Sequence, residues 1–276
     1  MLHRLAVAVD PSGLMPVLGG LHHEIHGPEG APVLLLASGL GGEAGYWSPN
    51  LPALAARHRV IVYDQRGTGR SEPTVDGILT IDSLAADMAM LLDATGTAAA
   101  TVIGHATGGM AGMTLALTAP TRVKRLVVIN GWARLDRHTA RCLDTQLALL
   151  RASGPRAYLH AQPLFLYPPQ WISDHHDRLL ADEEEGLTRF PGATMIERRI
   201  AAARRFDVVE RLAQIAAPTL FVSSDDDMLV PPACSARMQA RLPGSELARL
   251  AEGGHACTVT RAEHFNRWLL DWLDSE

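Results

Sequence analysis

The sequence lacks the marks of several large protein classes. It holds three cysteines, Cys142, Cys234 and Cys257, an odd number with no Cys-x-x-Cys pair. That argues against a disulfide framework and a thiolate zinc site, and fits a reducing compartment. There is no long Lys/Arg run, and the formal charge of -5 with a pI near 6.2 argues against a nucleic-acid partner. No uncharged apolar stretch approaches the ~18 residues of a membrane span. The opening stretch from Met1 to Asp10 is short, interrupted and without a convincing cleavage site, so it does not read as a signal peptide. These absences point to a cytoplasmic protein that acts on a small molecule, with no membrane or nucleic acid involved and no metal or cofactor called for. The oligomeric state stays open, a homodimer included.

One further absence matters more than these. Gly104-His105-Ala106-Thr107-Gly108 has the G-x-S-x-G spacing of a strained strand-to-helix turn that presents a nucleophile, but Ala106 stands where serine belongs. A methyl group cannot attack a substrate, so the reading depends on what else is present.

With 276 residues, 47% hydrophobic and 20% charged, the chain is long enough for one domain with a large core and an insertion. Short apolar runs, mostly β-branched, recur at Val33 to Ala37, Val60 to Tyr63, Thr101 to Ile103, Leu126 to Ile129 and Leu220 to Val222. Each is followed by Gly, Asp, Asn or Ser, and helical patterns such as Ile81 to Asp93 and Met110 to Leu117 lie between them. Later helices are expected from about Pro232 to Arg241 and from about Arg261 to Leu273. This alternation indicates an α/β fold with a mostly parallel central sheet covered by helices on both faces. The pattern breaks between about Trp132 and Ile215, where helix-like periods run without a clear strand. We therefore divide the chain into a core of residues 1–132 and 216–276 and a helical lid of residues 133–215. Within the lid, Gln162 to Trp171 reads as a proline-punctuated aromatic turn suited either to roofing a pocket or to packing between helices. The acidic run Asp182 to Glu185 reads as a solvated helix face.

Three loops that follow strands carry the chemistry. Ser38-Gly39-Leu40-Gly41-Gly42 is a glycine-rich turn able to face backbone N–H groups into a cavity. The turn at Ala106 places the N–H of Thr107 at a helix N-terminus, and together with the N–H of Leu40 it would form an oxyanion hole. Ser224-Asp225-Asp226-Asp227-Met228-Leu229-Val230-Pro231 is followed about 25 residues later by Gly253-Gly254-His255. An acid after one strand and a histidine after the next are the later members of a nucleophile, acid, base series.

These segments, with the turn Asp64-Gln65-Arg66-Gly67-Thr68-Gly69-Arg70-Ser71, resemble the α/β-hydrolase fold over essentially the whole chain. Tyr63 to Gly69, Gly104 to Ala106, Asn130-Gly131-Trp132, Ala161 to Tyr167 and Gly253 to Cys257 resemble, more narrowly, the RutD family of pyrimidine-utilisation hydrolases, whose turn can also carry alanine. The resemblance implies hydrolysis of 3-aminoacrylate or carbamate during uracil breakdown, with release of ammonia. Position by position it implies His255 as base and Asp227 as the acid that orients it, since Asp227 fits the D-x-x-V-P pattern better than Asp225 or Asp226. The pocket candidates are His105, which either lines the cavity or supports the turn, together with Trp132 and Tyr167. Without a nucleophile, an acyl-enzyme is excluded, and His255 with Asp227 would instead activate water or move a proton. Two other readings remain open: a binding protein on a hydrolase scaffold, and a cofactor-free lyase or oxygenase.

The other reactive side chains have plainer readings. Thr107 lies one residue past the turn and is expected to point away from the pocket. Cys257 reads as a small buried residue. His22, His23 and His26 read as strand-surface histidines without a metal-binding partner, as do His175 and His176. Asp64 and Arg66 are expected chiefly to brace their loop.

Overall fold

A computed structural model describes residues 19–275, so the stretch from Met1 to Asp10 lies outside the described residues. Seven strands form one sheet: β1 (His23–His26), β2 (Val33–Ala37), β3 (Arg59–Tyr63), β4 (Ala100–His105), β5 (Val123–Ile129), β6 (Thr219–Ser224) and β7 (Glu246–Leu250). Their spatial order is β1-β3-β2-β4-β5-β6-β7, with β1 antiparallel to β3 and every other pair parallel. The helices are α1 (Leu51–Ala55), α2 (Ile81–Ala94), α3 (Thr107–Thr118), α4 (Arg137–Leu166), α5 (Pro169–Asp174), α6 (His176–Thr188), α7 (Ala193–Arg205), α8 (Ala233–Gln239), α9 (Cys257–Thr260) and α10 (Ala262–Asp274). No helix among the described residues is long and apolar enough to cross a membrane.

The apolar runs are continuous because the sheet is buried on both faces, and alternate residues serve different cores. Leu35, Ile61, Val102, Val128 and Phe221 face α2, α3 and α8 through Met88, Leu91, Met113 and Met238. Leu36, Val62, Ile103, Val127 and Val222 face the opposite way, against Trp47, Leu54, Phe265 and Leu269. β7, Glu246-Leu-Ala-Arg-Leu, lies at the sheet's edge with only Leu250 buried, which explains why it does not stand out as an apolar run.

Strand order positions the site. From β2 the chain steps outward to β3, then returns to place β4 on the other side of β2, so the loops after β2 and β4 diverge from adjacent strand ends. Such a switch point opens a crevice at the carboxyl edge of a parallel sheet. The helices α4 to α7 fill the chain between β5 and β6, where the one β feature is an isolated bridge of Arg134 with Asp207. α4 is broken at Gly154, where φ is 79°. Pro155 follows in the first turn after the break, where an absent N–H costs little. The expected turn at Gln162 to Trp171 is shorter in the structure. Residues 162–166 complete α4 despite Pro163, and the chain turns only at Tyr167 and Pro168 before α5.

Candidate active site

Ala106 connects β4 to α3 with φ 47° and ψ -112°, a left-handed backbone that an alanine rarely adopts. The surroundings hold it there. The Ala106 N–H donates to the Ile129 carbonyl at 2.8 Å, and the Met110 N–H donates back to the Ala106 carbonyl at 3.1 Å. Both flanking glycines are required by close approach: a Cβ on Gly104 would lie 2.4 Å from the Gly108 backbone, and one on Gly108 would lie 2.3 Å from the Ala37 carbonyl oxygen. The turn is therefore imposed by strand-helix packing, with or without a nucleophile.

His255 sits in the loop between β7 and α9, and three consecutive aspartates after β6 make different contacts around it. Asp227 Oδ2 accepts from His255 Nδ1 at 2.8 Å, while its Oδ1 accepts the N–H groups of Leu229 and Val230, each at 2.8 Å. Asp226 instead accepts the N–H groups of Gly253 and Gly254 at 3.1 and 2.8 Å, tethering the loop that carries the histidine. Asp225 pairs with Arg249 on the exposed side. The Asp227 bond fixes the proton on Nδ1 and leaves the Nε2 lone pair of His255 free, and His255 lines the central cavity.

A second layer holds the His255 backbone. Its carbonyl accepts from His105 Nε2 at 2.9 Å and from Asn130 Nδ2 at 2.7 Å. Donation to a carbonyl places the His105 proton on Nε2 and turns Nδ1 into a buried acceptor without a partner among the described residues. Burial, reinforced by the neighbouring His255, holds His105 well below the usual histidine range and therefore neutral. Its ring lies between Tyr46 and His255, with centroids 4.7 and 4.6 Å away. His105 thus lines the cavity and holds the loop that carries His255. Asn130, itself at φ 49°, also accepts the Ser224 N–H at 3.1 Å, so one side chain ties together the ends of β5 and β6 and the histidine loop. Cys257 is fully buried, and burial pushes its thiol up to about 12.

The glycine-rich turn after β2 is held from the insertion. Arg199, buried on α7, donates to the Leu40 carbonyl at 2.6 Å, to Gln65 Oε1 at 2.5 Å and to the Gly39 carbonyl at 3.4 Å. Gln65 in turn donates to the Ser38 carbonyl at 2.7 Å. No carboxylate pairs with this guanidinium among the described residues, and burial brings its pKa down to about 10. With its carbonyls engaged on one side, the loop leaves the Leu40 N–H without an acceptor among the described residues, as α3 leaves that of Thr107, and both residues line the cavity. The cavity has a volume of about 260 Å³, and Trp132 and Ala106 also line it. Sequence reasoning singled out neither Arg199 nor the bridging role of Asn130.

Several expectations need correction. Tyr167 is not among the lining residues of this cavity; it packs on Trp171 at 4.4 Å and lines a separate, more polar hollow with Asp64 and Arg70. Pro168 cannot continue α4 and caps α5, so the chain changes direction at Tyr167. Thr107 is among the lining residues, while its hydroxyl is buried, without a partner among the described residues, in keeping with a side chain turned from the open cavity. His22 and His23 are not on the surface: both are buried, while His26 bonds Glu24 at 3.1 Å. His175 and His176 belong to the α5–α6 junction rather than a strand, with His175 stacked on Trp171 at 4.0 Å. Asp64 does brace its loop, accepting from the Ala44 N–H at 2.7 Å and the Arg70 N–H at 2.9 Å, and Arg66 pairs with Asp87 at 2.6 Å. Among the described residues no group of three His, Cys, Asp or Glu side chains could hold a metal ion.

Residues 32–260 match the α/β hydrolase fold family. Over 254 residues the chain is 49% identical to a Variovorax paradoxus protein named "Putative carbamate hydrolase RutD", covering 92% of this chain and 96% of that one. A protein of the same name from Caulobacter vibrioides is 48% identical over 257 residues, again with 92% and 96% covered. Among solved structures, the enol-lactonase of Burkholderia xenovorans superposes with a TM-score of 0.83 at 25% identity, over 92% of this chain and 96% of that one.

Proposed function

The chain belongs to the α/β-hydrolase fold family, within it to the RutD group, and from that premise we propose that it hydrolyses carbamate or 3-aminoacrylate in uracil breakdown, releasing ammonia without a covalent intermediate. The observation that carries this reading is the 2.8 Å bond from His255 Nδ1 to Asp227 Oδ2, which frees Nε2 in a cavity where Ala106 leaves room for water. Residues 133–215 serve as the lid over this centre.

His255 acts as the proton carrier. For 3-aminoacrylate, the enamine tautomerises to the imine, Nε2 takes a proton from water, and the hydroxide adds to the imine carbon. The adduct takes that proton back on nitrogen to give the carbinolamine, and its hydroxyl proton then passes through Nε2 to the nitrogen, so that ammonia leaves and an aldehyde remains. For carbamate, protonation of the nitrogen cleaves the C–N bond to give ammonia and carbon dioxide, and the net reaction with water yields ammonia and bicarbonate. The N–H groups of Leu40 and Thr107 hold the carboxylate in either case, and Asp227 stabilises the imidazolium. Both compounds decompose unaided, so a modest rate enhancement suffices.

The test compares ammonia release from freshly generated carbamate and 3-aminoacrylate in buffer, with the protein and with His255→Ala. Acceleration lost in the variant supports the proposal. Equal rates for variant and unaltered protein refute it.

A further inference from the structure

The cavity is larger and less polar than these two compounds require. Carbamate has four non-hydrogen atoms and 3-aminoacrylate six, whereas the cavity volume is about 260 Å³, close to the lower end of sites for drug-sized ligands. Beside the His255 ring and the Leu40 and Thr107 backbone, its polar lining residues include Glu43, Gln146, Gln162 and Arg189. Away from that centre the wall is built from the insertion. Leu143, Tyr158 and Ile196 belong to a separate apolar cluster against which Leu159 and Phe190 pack, and all five line the cavity. None of the five carries a charge, and burial pushes the Tyr158 phenol up to about 12, so it too stays neutral.

We infer that the site accepts carboxylates, and enamine or carbamate analogues of them, that carry an uncharged apolar body of about four to six carbons, seated against Leu143, Tyr158 and Ile196. This inference rests on the proposed function only in placing the anionic head at the Leu40 and Thr107 N–H groups beside His255. A charged far end seated at Leu143, Tyr158 and Ile196 has no counter-charge there, and the lining Arg189 is already paired with Glu185 at 2.9 Å and Glu43 at 3.7 Å, so desolvation opposes its entry. An apolar tail gains about fourfold in affinity per methylene, the ~0.8 kcal/mol of a buried CH₂ converted at 1.36 kcal/mol per decade.

The probe is the series of straight-chain monocarboxylates from acetate to octanoate, with adipate as the charged-end control, measured by titration calorimetry on the full-length protein. The expected result is an affinity rising about fourfold per methylene to about six carbons, with adipate at least about tenfold weaker than hexanoate, because its second carboxylate must be desolvated. In Ile196→Phe and in Leu143→Phe, each filling the far wall, the chain-length gain should disappear while acetate binding is retained. A flat series, or adipate equal to hexanoate, overturns the inference. A rising series that survives in both folded variants overturns it as well, since the tail would then lie elsewhere. Because binding is read directly, a rising series without turnover of carbamate or 3-aminoacrylate would refute the proposed function and leave this inference standing. Turnover with a flat series would do the reverse.

Discussion

Replacing Asp227 by asparagine changes the position of one proton and little else, which makes it the most discriminating perturbation of the site. Asp227 Oδ1 accepts two backbone N–H groups, from Leu229 and Val230, and Oδ2 accepts from His255 Nδ1. An asparagine must keep its oxygen toward the two N–H groups, because the reversed amide would leave both buried donors unpaired at about 1–3 kcal/mol each. Its NH₂ therefore faces Nδ1. That nitrogen must then accept, the ring proton moves to Nε2, and the lone pair at the cavity is lost. A wrong-tautomer histidine of this kind typically costs about 10⁴-fold in kcat, about 5.4 kcal/mol of barrier. We expect Asp227→Asn to lower the enzyme-dependent rate of ammonia release by about 10³- to 10⁴-fold, with Tm little changed because the Oδ1 contacts survive. Asp226→Asn is the control: it weakens the tether on Gly253 and Gly254 and should lower Tm more than it lowers the rate. A folded Asp227→Asn protein within tenfold of the unaltered rate would refute the reasoning, since a base that tolerates the wrong tautomer is not the base.

Arg199→Met should destabilise the protein by about 1–3 kcal/mol for each buried acceptor left without its donor, Leu40 O and Gln65 Oε1 first, with Arg199→Lys recovering part of the loss in a thermal melt. Ala106→Ser places a hydroxyl on the strained turn beside a histidine already oriented for it, and should create covalent labelling by a sulfonyl fluoride that the unaltered protein lacks; absence of labelling in a folded variant would show that Nε2 does not reach the turn. Burial lowers the pKa of His23, His58 and His105. The unfolded chain takes up protons as pH falls through about 6.5 while the folded chain does not, so stability is full above that pH and declines below it, by up to about 1.4 kcal/mol per pH unit for each such histidine. Melts between pH 7.5 and 5 should show this decline, reduced in His23→Phe; an unchanged slope in that variant would contradict the assignment of His23.

How much of this was legible in the sequence follows from burial. The central strands stood out because both their faces are covered, which removes polar residues from the run. β7 did not, because an edge strand with one buried residue has no such signature. The His255–Asp227 pair was legible from chain order, since consecutive strand ends in a parallel sheet deliver their loops to one edge. Arg199 was not, because it sits on a helix with Arg198, Arg204 and Arg205, and nothing local distinguishes the one that ends buried under the Leu40 loop. Tyr167 was misplaced because an aromatic beside prolines says that a turn is near but not which way the ring leaves it.

The backbone at Ala106 keeps a left-handed conformation that its own side chain does nothing to require, because Gly104, Gly108 and the neighbouring strand dictate it. Architecture and reactivity at this position are therefore separately inherited. An alanine codon becomes a serine codon by one base change, so a lineage can lose or regain a nucleophile here without ever passing through a misfolded intermediate.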